Sequence, residues 1–186
     1  MLLLVGLGNP TPNSENNRHN IGFKIIDSIN KKFSLSKQKP KFKGLLTTGN
    51  IEGEKVYAIK PLTFMNNSGI CIRELLEYFK IDAENVIVFH DDLDLEFGRI
   101  KAKFGGSSAG HNGIASIDKF IGNDYSRVRI GIGKPKSKIE VSDFVLQNFD
   151  EDEILSINKI SENITDSIGI LIKKNLDLFS STVNNK

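Results

Sequence analysis

One cysteine, Cys71, is all that this chain of 186 residues contains. No disulfide can close within it, which suits a reducing compartment such as the cytoplasm. Long apolar runs are also missing. The opening stretch Leu2–Leu7 has no basic flank and is shorter than a secretion signal or a membrane-crossing helix needs, so no membrane role is expected. There is no internal repeat, no HExxH, no cysteine cluster and no second histidine at ligand spacing, which leaves a metal site little to build on. Without a GxSxG elbow, a serine nucleophile has no setting. What remains is 39% hydrophobic and 26% charged residues, enough for one folded domain with a real core.

Acidic residues are scarce in one place. Between Arg99 and Lys138 nine basic residues face only Asp118 and Asp124, whereas residues 1–98 balance and residues 139–186 are acidic in excess. A basic block of this kind is a footprint for a polyanion, although lysines also serve simply to solvate a surface.

The apolar pattern predicts an α/β domain. "LLLVGL" and "NVIVFH" are continuous apolar runs of the sort found in central strands. Ile21, Ile25, Ile29 and Phe33 recur every four residues, as one face of a helix does. Residues 44–60 read as an antiparallel hairpin turning at Glu52-Gly53. Ile72, Leu75, Leu76 and Phe79 mark a second helix, and Ile114, Ile117 and Ile121 a short third one, with strands at "GRIKAKF" and "SRVRIGIG". A last helix is expected from Asp150 to about Lys174, acidic at its start and basic at its end. The domain is expected to span residues 1–179, with 180–186 ("SSTVNNK") a disordered polar tail.

Several motifs carry chemistry. "VGLGNP" falls short of a dinucleotide fingerprint, because Thr11 stands where a third glycine belongs, so Gly6 and Gly8 are expected to let backbone pass close to a neighbour. His19, His90 and His111 each adjoin a carboxylate or carboxamide. His90-Asp91-Asp92 closes a buried strand, where ligand sites in α/β sheets form, and a carboxylate beside an imidazole supports general base chemistry. Asn66 in "TFMNNSG" is either a helix cap or a carboxamide for a peptide group. "FGGSSAGHNG" reads as a flexible loop or a mobile lid. Cys71 falls within an apolar helix face and is expected in the core.

In this order, "VGLGNP", "RHNIGF", "KPLTFMNNSG", "HDDLDLEFGRIKAK", "GGSSAGHNG", "RVRIGIG" and "VSDFVL" resemble bacterial-type peptidyl-tRNA hydrolase. The resemblance implies a single three-layer α/β/α domain with a mixed, mostly parallel sheet. It also implies a monomer that needs no metal or cofactor and cleaves the ester between a peptide and the terminal ribose of tRNA. By resemblance His19 is the base, Asp91 orients it, and Asn9 holds substrate or water. Asn66 and Asn112 bind the peptide backbone and steady the oxyanion, Met65 and Gly110 line the peptide path, and Lys103 and Arg129 meet tRNA phosphates. Arg18 and Asn20 are expected to set the turn that aims His19. The chain departs from the family at Thr11, at Asn17 (usually threonine) and at Ser14, which replaces a substrate-binding tyrosine. The competing reading is a nonenzymatic RNA-binding relative of the same fold.

Overall fold

The computed structural model describes residues 1–186. Seven strands form one sheet: β1 (Leu2–Gly6), β2 (Lys39–Lys41), β3 (Gly44–Ile51), β4 (Glu54–Pro61), β5 (Val86–Asp92), β6 (Ile100–Phe104) and β7 (Ser126–Gly131). Their spatial order is β2-β3-β4-β1-β5-β7-β6. The central neighbours β4, β1, β5 and β7 run parallel. Both flanks are antiparallel: the β3–β4 hairpin with β2 on one side, β6 on the other. The expected mixed sheet is thus parallel at its centre.

Seven helices cover it: α1 (Ile21–Lys32), α2 (Ser68–Phe79), α3 (Asn112–Ile121), α4 (Val141–Val145), α5 (Glu151–Asp166), α6 (Ile168–Ile172) and α7 (Leu176–Asn184). Strand side chains alternate between faces, and β1 shows the result. Leu2 and Leu4 join the core under α1, α5, α6 and α7, while Leu3, Val5 and Leu7 join the core under α2 and α3. All five β1 residues are buried. The periodic isoleucines Ile21, Ile25 and Ile29 of α1 are buried as predicted, and so is Cys71. No helix is long and apolar enough to cross a membrane.

Two glycines let α1 settle on the sheet. A Cβ at Gly22 would lie 2.4 Å from the Leu7 nitrogen and the Phe89 oxygen, and one at Gly6 would lie 2.2 Å from the Gly22 oxygen. Such distances admit no side chain, so the helix start rests directly on the backbone of β1 and β5. Gly8 in turn packs on the Phe23 ring.

The C-terminal third differs from expectation in two ways. The single helix predicted over 150–174 is interrupted at Ser167, and Lys174, with φ +60°, ends α6. Its start is as read: Asp150 and Glu153 form a reciprocal capping box. The supposed tail from 180 is mostly helix. Phe179 and Val183 of α7 are buried, and its polar side chains serve the free edge of β6. The Ala102 N–H donates to Ser180 Oγ (2.9 Å), the Ile100 N–H to Asn184 Oδ1 (3.0 Å), and Asn184 Nδ2 to the Ile100 carbonyl (2.7 Å). Polar composition here reflects the satisfaction of an edge strand, not disorder.

Candidate active site

The chain passes from β1 to β4 on one side and then to β5 on the other, so the carboxyl ends of β1 and β5 form a topological switch point, where α/β sheets open a crevice. Three side chains meet there. His19 stands on the 3-10 turn Arg18–Asn20 that leads into α1, Asp91 is the last residue but one of β5, and His111 precedes α3. His19 Nδ1 lies 3.0 Å from both Asp91 carboxylate oxygens, and His111 Nε2 lies 2.9 Å from Oδ1.

The tautomers follow from the partners. His111 Nδ1 caps α3 by accepting the Gly113 and Ile114 N–H groups at 3.1 and 3.2 Å. An accepting Nδ1 has a lone pair, so the proton of neutral His111 is on Nε2 and is donated to Asp91. His19 donates its Nδ1–H to the same carboxylate, which leaves its Nε2 free. Burial alone would raise the Asp91 pKa, but His111 and His19, by charge and hydrogen bond, hold it well below the usual carboxylate range. His90, behind them, donates Nδ1–H to the Asp91 carbonyl at 2.8 Å. Its burial, reinforced by His111, pushes its pKa down to about 3, so it stays neutral. The ligating atoms of His19, Asp91 and His111 lie within 4.8 Å of one another, the one grouping that could hold a metal ion. As arranged, both facing nitrogens are spent as donors to the carboxylate, and His111 would have to give up its helix cap to become a ligand.

Asn9 sits beside this cluster, held from two directions. Its backbone N–H donates to Asn20 Oδ1 and its carbonyl accepts from Asn20 Nδ2, each at 2.9 Å. Its side-chain oxygen accepts the Met65 N–H at 2.9 Å, so the Asn9 Nδ2 donors remain free. Met65 is buried at the start of the 3-10 turn Met65–Asn67, whereas Asn66 is exposed. Phe64, just before, has φ 60° and ψ 160°, a region that only glycine enters without strain. This backbone outlier aims the Met65 N–H at Asn9. No side chain in this segment caps α2.

A cavity of about 690 Å³ opens over the cluster, with His19, Asp91, Gly110, His111 and Asn112 on its floor. Lys103, Arg127, Arg129 and Lys134 from the basic block supply one wall, and Val141, Ser142 and Val145 of α4 another. The Lys103 pKa is lowered by burial and by the neighbouring Arg127 and Arg129 charges. Arg129 gives its Nε–H to Asp92 at 2.7 Å. Arg127 is buried and donates to the Gly105 and Ser107 carbonyls at 2.6 and 2.9 Å, pinning the glycine-rich loop. A smaller cavity of about 400 Å³ beside Glu52, Asp166 and Lys173 holds no imidazole.

Of the residues singled out in the sequence, His19, Asp91, Gly110, Asn112, Lys103 and Arg129 thus share one cavity. Asn9, Met65 and Asn66 do not line it, although Asn9 and Met65 are bonded to each other. Ser14 is not brought to it either: it is buried in the 3-10 turn Pro12–Ser14 with its hydroxyl against Thr11 Oγ1. His111 was visible only as one of three histidines. Its roles as cap and as second partner of Asp91 depend on where α3 docks.

Comparison with known proteins matches residues 3–186 to the family model described as peptidyl-tRNA hydrolase. Similar curated proteins, each named peptidyl-tRNA hydrolase, include one from Pelagibacter ubique, 80% identical over the full length of both chains. Another, from Bartonella henselae, is 47% identical over 99% of this chain and 95% of its own. The crystal structure of peptidyl-tRNA hydrolase from Acinetobacter baumannii superimposes with a TM-score of 0.91 at 34% identity, covering 99% of this chain and 94% of that one.

Proposed function

The chain belongs to the peptidyl-tRNA hydrolase family and hydrolyses the ester between peptide and tRNA, freeing the tRNA, and from that premise we propose how its residues divide the work. His19 is the base. With Nδ1–H committed to Asp91, its Nε2 accepts a proton from water as the water oxygen bonds to the ester carbonyl carbon. The carbonyl electron pair moves onto oxygen. When it returns, the bond to the ribose oxygen breaks and that oxygen takes the proton back from His19. One water is consumed, an acid and an alcohol are formed, and the imidazole is restored.

Asp91 stabilises the imidazolium formed midway, and His111, donating Nε2–H while its Nδ1 caps α3, fixes the plane of the carboxylate. The free amide of Asn9 holds water or substrate. Asn66 and Asn112 donate to the peptide and the oxyanion, and a lost donor of this type typically costs roughly 2.7–4 kcal/mol of transition-state stabilisation. Met65 and Gly110 shape the peptide path. Lys103 and Arg129 meet tRNA phosphates, which gives affinity without base readout. The enzyme works as a metal-free monomer in the cytoplasm.

The observation that carries the assignment is the single carboxylate shared between two imidazole donors, only one of which, His19, keeps a free ring nitrogen. The test is release of peptide from N-acetyl-aminoacyl-tRNA. Folded His19→Ala loses at least about 10³-fold in kcat, and a transition-metal chelator leaves the wild type unchanged. Near-wild-type turnover by His19→Ala would remove the base from the mechanism, and collapse in chelator would replace it with a metal-bound water.

A further inference from the structure

Arg18 is 8% exposed and Asn17 6%, yet neither faces the cavity. Their polar groups turn the other way, to residues 129–135 positions further along. Asn17 Nδ2 donates to the Leu146 carbonyl (2.6 Å) and to Asn148 Oδ1 (2.7 Å). Arg18 Nη1 donates to the Asn148 carbonyl (2.6 Å), and Nη2 reaches both Glu153 oxygens (3.1 and 2.8 Å). The backbone joins in: the Arg18 N–H bonds the Gln147 carbonyl at 3.0 Å, and the Phe149 N–H bonds the Asn16 carbonyl at 2.9 Å. The guanidinium lies over the Phe144 and Phe149 rings, at 4.7 and 5.3 Å from their centroids.

These contacts do more than start a helix. Residues 16–18 run straight into His19, and 146–149 run straight out of α4, whose Val141, Ser142 and Val145 form a cavity wall. An arginine–glutamate pair with its arginine buried and its glutamate partly so gains little net stability, since desolvation offsets much of the attraction, and fixing one arrangement is its better-attested use. We propose that Asn17 and Arg18 are positioning residues that strap the α4 wall to the catalytic turn, so that the wall contacting the substrate and the aim of the His19 imidazole are set together. The proposal rests on His19 as the base. Asn17 matters doubly, because a threonine there would be too short to reach both Leu146 and Asn148.

A displacement of about 1 Å in a reacting group costs on the order of 100-fold in rate, so a loosened strap appears in kcat. Three variants test it: Asn17→Ala, Arg18→Lys and Glu153→Gln. The last lies on α5 away from the cavity, and glutamine can keep the α5 capping box while losing the charge. If Arg18→Lys fails to fold, Glu153→Gln carries the test. Well below the melting temperature, each folded variant is expected to lose about tenfold or more in kcat on N-acetyl-aminoacyl-tRNA, with KM within about twofold. A lowered melting temperature with kcat unchanged, or a change confined to KM, overturns the strap and leaves the three contacts merely structural. His19→Ala measured alongside separates the two ideas: inactive His19→Ala with fully active strap variants refutes the strap alone, and active His19→Ala refutes the base.

Discussion

His90 makes the fold sensitive to mild acid. The imidazole is buried, spends Nδ1–H on the Asp91 carbonyl, and has no partner for Nε2. Its pKa is pushed down from 6.5 to about 3 by burial first and by His111 second. Below about pH 6.5 the unfolded chain therefore binds a proton at His90 that the folded chain refuses until about pH 3. The unfolded state holds more protons across that window, so stability falls as pH drops through it and levels off below. Between pH 7.5 and 5.0 the loss from this one group is about 2 kcal/mol, or roughly 4–8 °C in melting temperature for a domain of this size. The comparison is with His90→Asn, whose amide nitrogen can replace the Nδ1 donor but does not titrate. Urea unfolding at the two pH values, at one ionic strength, should show the wild type losing about 2 kcal/mol more than the variant. Equal losses would mean that His90 is charged in the folded protein or exposed to water, and the picture of one neutral imidazole behind two carboxylate partners would fail.

Asp91→Asn, folded but unable to stabilise an imidazolium, should lose roughly 10³–10⁴ in kcat with KM little changed, read by steady-state hydrolysis of one peptidyl-tRNA. Lys103→Ala should flatten the plot of log(kcat/KM) against log[salt] by about one unit of slope. Arg129→Ala should flatten it less, because Asp92 already offsets that charge at 2.7 Å; equal slopes for both variants would refute this ranking. Ser14→Ala should leave KM within about twofold, since the hydroxyl is turned to Thr11, and a larger rise would bring this loop into substrate contact. Gly22→Ala should cost at least about 1–3 kcal/mol in denaturant unfolding, because its Cβ has no room against β1 and β5.

The chain's periodicities forecast the strands and helices well wherever one side chain type repeats, as in the Ile21–Ile25–Ile29 stripe and the apolar β1 and β5 runs. The meeting of His19 with Asp91 was legible too, through the family motifs that carry them, one on the turn before α1 and the other near the end of β5. The partnership of His111 was not. It arises because α3 begins at the rim of the crevice and uses an imidazole as its cap, a tertiary choice that local spacing does not encode. The ordered C-terminus was hidden for a related reason. Ser180 and Asn184 look like solvent-loving residues until β6 is found beside them with unpaired backbone groups. Arg18 was assigned to the turn at its own position, because nothing nearby in the chain reveals that its partner is Glu153.

The separation of these partners bears on how the protein is made. While it is being synthesised, this chain is itself a peptide esterified to tRNA, the kind of bond its finished form cuts. His19 emerges early, yet Asp91 follows 72 residues later and Glu153 135 residues after Arg18. A lone imidazole on an unfolded segment, with neither carboxylate nor wall, has no ordered geometry from which to catalyse. Activity therefore waits until the chain as far as Glu153 has been translated and folded. Until then a nascent copy has no working site with which to release itself.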